Sequence, residues 1–166
     1  MKYEELSKRQ KEILEKSGWY EGRDIEIEEE VRLLEERGFE VSEKVKEYLR
    51  EFNGIYMEVR RGIGGERIYI DKHYIDVEDA MGDAADRDMV TIYEEMVREK
   101  LVSVGGMDND HLILMISETG KVYCSMGKLG NDIWEGIDVI LHSRKRKIED
   151  WDELYEKGEI EDPFND

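Results

Sequence analysis

The residues best suited to catalysis or metal binding in this chain of 166 residues are three histidines and one cysteine. His73, His111 and His142 lie far apart in the sequence, and none has a second histidine or cysteine at a metal-ligand spacing such as H-x-x-x-H. Cys124 occupies an inward position of an alternating strand pattern, where an unpaired cysteine packs as a small hydrophobic side chain. The sequence therefore predicts no catalytic residue, no metal ligand and no cofactor, and histidines that are solvated or bonded locally.

Two further segments have the residue types of a ligand site but not the required pattern. Gly127-Lys128-Leu129-Gly130 has a lysine without the adjacent Ser or Thr of a phosphate-binding loop, so nucleotide binding there is not expected. Asp108, Asp110 and His111 resemble a small metal cluster in composition. Their place directly before an apolar strand favours a loop that enters the sheet instead.

Carboxylates are the dominant charged groups, since 43 Asp and Glu oppose 25 Lys and Arg, for a formal net charge of -18. A field of this sign repels nucleic acid and anionic membranes and attracts basic proteins. Three acidic clusters are candidate binding surfaces. The first is Glu26 with Glu28, Glu29 and Glu30; the second, which we call the middle cluster, consists of Asp76, Glu78, Asp79, Asp83, Asp86 and Asp88; the third is the tail from Asp150 to Asp162. The middle cluster is preferred because its composition indicates a connection between elements with few basic residues.

One basic run interrupts this acidic pattern, at Arg144-Lys145-Arg146-Lys147. It closes a predicted helix, where cations complement the negative end of the helix dipole. It also lies within reach of Glu149, Asp150 and Asp152. We therefore interpret it as a helix end rather than as a nucleic-acid-binding patch.

Apolar periodicity indicates how these groups are positioned. Helices are predicted from Tyr3 to Ser17, from Ile27 to Gly38, after an N-cap at Ser42, over 90–100 and after a capping box formed by Asp132 and Glu135. In a hairpin that begins at Ile55, a period of two places Ile55, Met57 and Val59 on one face and Tyr56, Glu58 and Arg60 on the other, outward face. A second hairpin begins at Leu112 with a strand that is apolar on both faces, and another strand is predicted from Leu101 to Gly105-Gly106. This order predicts one α+β domain over residues 1–166, with an acidic C-terminal extension from about 149 to 166.

The chain has no apolar run near the length of about 18 residues that spans a bilayer, and Met1 to Glu5 are already charged. A single cysteine cannot form an internal disulfide, which suits a reducing compartment. A cytoplasmic location is therefore expected.

Several short sequence segments, in their order along the chain, resemble the SUKH superfamily of bacterial immunity proteins (the Smi1-related fold), nearest to its third subfamily. The resemblance covers about Leu14 to Leu141 and lies in Leu14-Glu15-Lys16-Ser17-Gly18-Trp19, Leu49-Arg50-Glu51-Phe52-Asn53-Gly54-Ile55, Leu101-Val102-Ser103-Val104-Gly105-Gly106, Gly120-Lys121-Val122-Tyr123 and Leu129-Gly130-Asn131-Asp132. Members often have Gly-Gly where this chain has Asn53-Gly54.

The resemblance implies a mixed, mainly antiparallel sheet flanked by helices, without catalytic machinery. It also implies a partner, namely a toxin, frequently a nuclease, that the protein binds and neutralises. A nuclease presents a positive groove to phosphates, so a basic nuclease domain is the expected partner. Two alternatives stay open: a regulatory or scaffold module of the same fold, and a carboxylate-based metal hydrolase. The chain is expected to be a monomer or a weak homodimer joined through an exposed strand edge.

Overall fold

The computed structural model describes residues 1–63, 67–82 and 87–162. After a 3₁₀ turn at Tyr3–Glu5, the described residues form helices and strands in alternating groups. The helices are α1 (Lys8–Lys16), α2 (Glu28–Glu36), α3 (Glu43–Phe52), α4 (Val77–Gly82), α5 (Arg87–Val97), α6 (Ile133–Ile140) and α7 (Trp151–Glu156). The strands are β1 (Ile55–Ile63), β2 (Arg67–Ile75), β3 (Leu101–Met107), β4 (Leu112–Ser117), β5 (Val122–Cys124), β6 (Gly127–Gly130) and β7 (Glu149–Asp150).

The strands form one sheet in the order β1-β2-β3-β4-β5-β6-β7, and each neighbouring pair is antiparallel. Because consecutive strands are neighbours, short turns connect most of them and the helices pack against the sheet from outside. The predicted α+β fold is confirmed. In the described parts of the chain, each helix is too short or too polar to cross a bilayer.

The predicted first helix is wrong in one respect, because it does not run continuously from Tyr3. Ser7 begins a new helix: its Oγ accepts the N–H of Gln10 at 3.2 Å, and Oε1 of Gln10 accepts the N–H of Ser7 at 2.9 Å. This reciprocal capping box satisfies donors that a helix start would leave unpaired. The predicted cap at Ser42 is confirmed, since its Oγ accepts the N–H of Val45 at 3.2 Å.

The core lies between the sheet and the helices, and every residue of β3 is buried. The strand continues through Gly105 and Gly106 to Met107, beyond its predicted end. Trp19 and Trp134 pack in one aromatic cluster, in which their rings lie 5.5 Å apart, edge to face. The predicted burial of the Cys124 thiol is also confirmed, and burial raises its pKa.

The basic run does not close α6, because that helix ends at Ile140 and the run follows it as irregular chain. Its ion pairs also differ from the predicted ones. Arg146 pairs with the buried Asp138, Nη1 to Oδ2, at 3.2 Å, and Lys147 pairs with Glu153 at 3.4 Å. The run therefore fastens the C-terminal segment to the domain.

The acidic C-terminal segment is joined to the sheet. Glu149 pairs with Lys128 in the β6–β7 ladder, and Leu154 of α7 is fully buried. Lys128 belongs to strand β6, which the apolar periodicity of the sequence did not predict.

Candidate partner-binding surface

Three described members of the middle acidic cluster, Glu78, Asp79 and Asp88, lie in helices, which for them corrects the prediction of an irregular connection. Asp76 precedes α4 and its Oδ1 accepts the N–H of Asp79 at 3.0 Å. Glu78 and Asp79 lie in the first turn of α4 and are exposed, and Asp88 lies in the first turn of α5 and is also exposed. The other two predicted members, Asp83 and Asp86, lie outside the described residues.

Helix α4 is held at its start by two backbone contacts. The N–H of Asp76 donates to the carbonyl of Val104 in β3 at 2.8 Å. The N–H of Val77 donates to Oδ1 of Asn53, at the end of α3, at 2.9 Å. The helix also packs on α2 and β3. Glu78 and Asp79 are therefore presented from a fixed element rather than from a free loop.

Two tyrosines stand beside this helix on the outer face of the first hairpin. Tyr56 and Tyr74 are opposite each other in the β1–β2 ladder, and their rings stack with centroids 5.7 Å apart. The hydroxyl of Tyr56 donates to Oδ2 of Asp79, although 48% of the Tyr56 residue is exposed. The stacked pair therefore joins the hairpin to the acidic turn of α4.

A groove of about 470 Å³ opens between these elements. Its lining combines aromatic, acidic and amide side chains with one lysine, and consists of Tyr56, Met57, Glu58, Lys72, His73, Tyr74, Asp79, Asn109 and Asp110. We call this feature the acidic groove. Glu58 and Asp110 are exposed, so three carboxylates border it together with Asp79.

The pair Gly105-Gly106 fixes the position of Tyr74 in this groove. A Cβ on Gly105 would lie 1.9 Å from the carbonyl oxygen of Tyr74, and one on Gly106 would lie 2.8 Å from Cε1 of the Tyr74 ring. Real Cβ atoms do not approach other atoms this closely, so only glycine lets β2 and β3 meet here with the ring in place.

Glu58 and the carboxylates at the start of α4 differ from the other two acidic clusters in their salt bridges. In α2, Arg32 pairs with Glu29 and Glu36. Four described glutamates of the C-terminal segment also form salt bridges, in the pairs Lys147–Glu153, Lys157–Glu149, Lys128–Glu159 and Arg98–Glu161. Across residues 1–63, 67–82 and 87–162, no salt bridge includes Glu58, Asp76, Glu78 or Asp79. These four carboxylates therefore have no salt bridge of the kind seen in the other two clusters, although Lys72 lies opposite Glu58 in the β1–β2 ladder.

In the hydrogen bond between Tyr56 and Asp79, the Tyr56 hydroxyl is the donor. Burial of the hydroxyl, followed by its bond to the Asp79 carboxylate, raises the pKa of Tyr56 above its usual value. The phenol therefore remains a proton donor at neutral pH, and Oδ2 of Asp79 accepts its hydrogen bond. Sequence periodicity had already placed Tyr56 and Glu58 on the outward face of β1, but it gave no reason to join them to α4.

The three histidines, which are distant in sequence, all line a second cavity of about 480 Å³. His73 is buried and hydrogen-bonded, since its Nδ1 accepts the N–H of Asp108 at 3.2 Å. Burial lowers the pKa of His73, so the ring is neutral. Nε2 of His142 lies 3.4 Å from Oδ2 of Asp71. Within the described chain no group of three or more His, Cys, Asp or Glu side chains has the geometry to hold a metal ion.

An α+β sheet domain with an acidic groove beside the exposed Tyr56 has the features of a protein-binding module. The SUKH-3 immunity protein family matches residues 6–143, and the chain therefore belongs to that family. A search of curated proteins and a search of solved structures found no match. Membership indicates a role in toxin immunity, through binding of a cognate toxin, in a family that is generally non-enzymatic.

Proposed function

We propose that this immunity protein acts in the cytoplasm on a basic nuclease toxin, and that the acidic groove covers the toxin's positively charged active surface. The observation that carries the proposal is the combination of Glu58, Glu78 and Asp79, which form no salt bridge within the described residues, with the exposed face of Tyr56. A surface of this kind matches the charge that a nuclease presents to phosphates.

The groove has the chemistry to bind a lysine or, better, an arginine side chain. A guanidinium group that lies on a tyrosine ring gains a cation–π interaction, and neighbouring carboxylates accept its N–H groups in charge-assisted hydrogen bonds. Tyr56 and Tyr74 already stack at 5.7 Å, so little side-chain freedom is lost on binding. We expect one or two arginines of the toxin to anchor the complex here.

The net charge of -18 acts at longer range than these contacts. It attracts a cationic partner and orients it before contact, which raises association rates to as much as ~10⁸–10⁹ M⁻¹s⁻¹ at low salt. Added salt screens this attraction, because the Debye length shortens to about 8 Å at physiological ionic strength. The groove is expected to set the position of the partner, and the overall field to set the rate of encounter.

The test compares two double variants that remove the same amount of charge. Glu78→Gln with Asp79→Asn removes two negative charges from the first turn of α4 beside the groove, and the amide oxygen that replaces Oδ2 of Asp79 can still accept the bond from Tyr56. Glu29→Gln with Glu36→Gln neutralises the α2 carboxylates that pair with Arg32, and serves as the control. The probe is the C-terminal domain of a toxin encoded beside this protein's gene.

We expect the groove variant to slow association about tenfold at low salt and to flatten its salt dependence, with a much smaller effect for the control. Both variants should unfold within about 0.5 kcal/mol of the natural protein, since surface substitutions rarely change stability more. Equal effects of the two variants would remove the groove as the contact surface. A cleavage assay tests the nuclease assignment separately: a toxin domain that binds but degrades neither DNA nor RNA would contradict it.

A further inference from the structure

Among the described residues, no strand pairs with the outer edge of β2 over about half of its length. Strand β2 pairs with β1 along all nine residues, but with β3 only at Tyr74 and Ile75. The loop after β3 adds one contact, in which Asn109 donates its N–H to the carbonyl of Lys72 and accepts the N–H of Lys72 on Oδ1. The edge from Arg67 to Asp71 therefore extends beyond the rest of the sheet.

The backbone groups along this edge point outward at alternate residues. The N–H and C=O of Lys72 face Asn109 and not β1, and alternation along a strand gives Ile70 and Ile68 the same direction. Among the described residues, neither the N–H nor the C=O of Ile68 has a hydrogen-bond partner, and neither has the N–H of Ile70. The carbonyl of Ile70 has only a 3.5 Å contact from Nδ2 of Asn109.

The side chains on this edge are apolar and exposed, which proteins usually avoid on an edge strand. Ile68 is 69% exposed, and Tyr69 and Ile70 are also exposed. Natural edge strands are usually protected by charge, proline or a covering loop, because an open apolar edge pairs readily with another strand. Here charges flank the apolar residues at Arg67 and Asp71 without interrupting them.

We infer that two copies of this chain pair through this edge, antiparallel, with a two-fold axis at Tyr69. The sequence Arg67-Ile68-Tyr69-Ile70-Asp71 is complementary to itself in that register. Ile68 of one copy faces Ile70 of the other, Tyr69 faces Tyr69, and Arg67 faces Asp71. The contact joins two sheets into one continuous sheet.

The available hydrogen-bonding groups select this register. A centre at Tyr69 makes each Ile68–Ile70 pair a hydrogen-bonded pair, which uses the outward N–H and C=O of Ile68, the N–H of Ile70 and the carbonyl of Ile70, whose contact with Nδ2 of Asn109 is 3.5 Å long. A centre at Ile70 would instead require the N–H and C=O of Lys72, which Asn109 already binds. The register that the backbone favours is therefore also the one that places opposite charges face to face.

Asp71 has two contacts within the chain, and 13% of its side chain is exposed. Nε of Arg61 lies 2.8 Å from its Oδ2, and Nε2 of His142 lies 3.4 Å from the same oxygen. Both contacts use Oδ2 and hold the carboxylate in place. Arg67 of the second copy is expected to approach the other oxygen.

Disulfide trapping of Tyr69→Cys tests the register directly. Residues opposite each other in a non-hydrogen-bonded pair have Cα atoms about 4.5 Å apart, within the range of about 4.4–6.8 Å that a disulfide spans. The natural Cys124 is buried and does not compete. The control is Tyr155→Cys, on α7, where the residue is also exposed. We expect rapid covalent dimers of Tyr69→Cys and not of Tyr155→Cys, and equal rates for the two variants would overturn the inference.

Sedimentation of the chain alone at physiological salt gives the affinity. Ile68→Pro should abolish the dimer and leave the monomer folded, because the N–H that proline lacks points away from β1. Arg67→Glu should weaken the dimer roughly tenfold, since it replaces two attractive cross-strand pairs with repulsive ones. A natural chain that stays monomeric at about 1 mM, or an Ile68→Pro chain that dimerises normally, would refute the inference. Because no toxin is present, neither result depends on the proposed function.

Discussion

The side chain of Asn53 connects α3 to α4, and its replacement by alanine tests how the acidic groove is supported. Oδ1 of Asn53 accepts the N–H of Val77 at 2.9 Å. Asn53 is 5% exposed and Val77 is 0% exposed, so water does not reach this bond in the native state. The backbone carbonyl of Asn53, which accepts a bond from Arg23 at 2.7 Å, is retained in the variant. Asn53→Ala therefore removes one acceptor and leaves one buried donor without a partner.

The expected magnitude follows from that unpaired donor. A buried N–H without a partner costs about 1–3 kcal/mol, and we expect Asn53→Ala to lower the free energy of unfolding by about 2 kcal/mol. For a chain of this length that corresponds to a fall in Tm of roughly 4–8 °C. The N–H of Val77 should also exchange with solvent faster than in the natural protein, because the start of α4 opens more often.

Urea unfolding followed by tryptophan fluorescence measures the first effect, and amide hydrogen exchange measures the second. Asn131→Ala is the matched control, since Asn131 is exposed and the same atoms are removed. The control should change stability by less than about 0.5 kcal/mol. If Asn53→Ala lowered the free energy of unfolding by no more than Asn131→Ala, or if hydrogen exchange at the N–H of Val77 were unchanged, the bond to Asn53 would not hold α4.

Two other predictions concern the neighbouring groups. The pKa of His73 is lowered mainly by burial, so the unfolded chain takes up its proton first as the pH falls. Stability should therefore decrease below about pH 6.5 by up to about 1.4 kcal/mol per pH unit, and His73→Phe should flatten that slope in urea titrations. Gly106→Ala places a Cβ 2.8 Å from the Tyr74 ring and should cost about 1–3 kcal/mol and weaken toxin binding. Gly62→Ala, whose Cβ meets nothing within 4 Å, should be neutral in both assays.

The long elements were predictable from the sequence because their apolar residues recur with one period. Helix α3 and the β1–β2 hairpin follow the patterns of Val45 to Phe52 and of Ile55 to Val59, and the structure confirms both. The first helix was predicted too long because Tyr3 and Leu6 stay in phase with α1. The capping box at Ser7 and Gln10 was the signal that separates them.

The helical form of the middle acidic cluster was missed because its apolar stripe is short. Val77, Ala80 and Met81 have helical spacing and are buried, but acidic residues surround them over only six positions. A stripe of this length does not outweigh the composition of a loop, and burial against α2 and β3 stabilises the helix instead. Tertiary packing, which a single sequence does not reveal, decided the structure here.

The acidic groove was only half predictable for a related reason. Alternation along β1 placed Tyr56 and Glu58 on the outward face, but the partner of Tyr56 depends on strand register. Tyr74 lies opposite Tyr56 because Ile55 pairs with Ile75, and the ring of Tyr74 lies over Gly106. Register is a property of two strands together, so the carboxylates near these rings could not be grouped from sequence spacing.

The net charge of -18 has opposite consequences for the two proposed contacts. A cationic toxin is attracted at long range, so added salt screens the attraction and weakens that complex. Two copies of the chain repel each other at long range, so the same salt lowers the barrier to pairing through the edge of β2. The cross-strand pairs of Arg67 with Asp71 lose some strength in salt, but exposed pairs contribute only about 0–1 kcal/mol each. The toxin complex should therefore weaken and the homodimer strengthen as salt rises, and a single titration that follows both assigns each contact to its own surface.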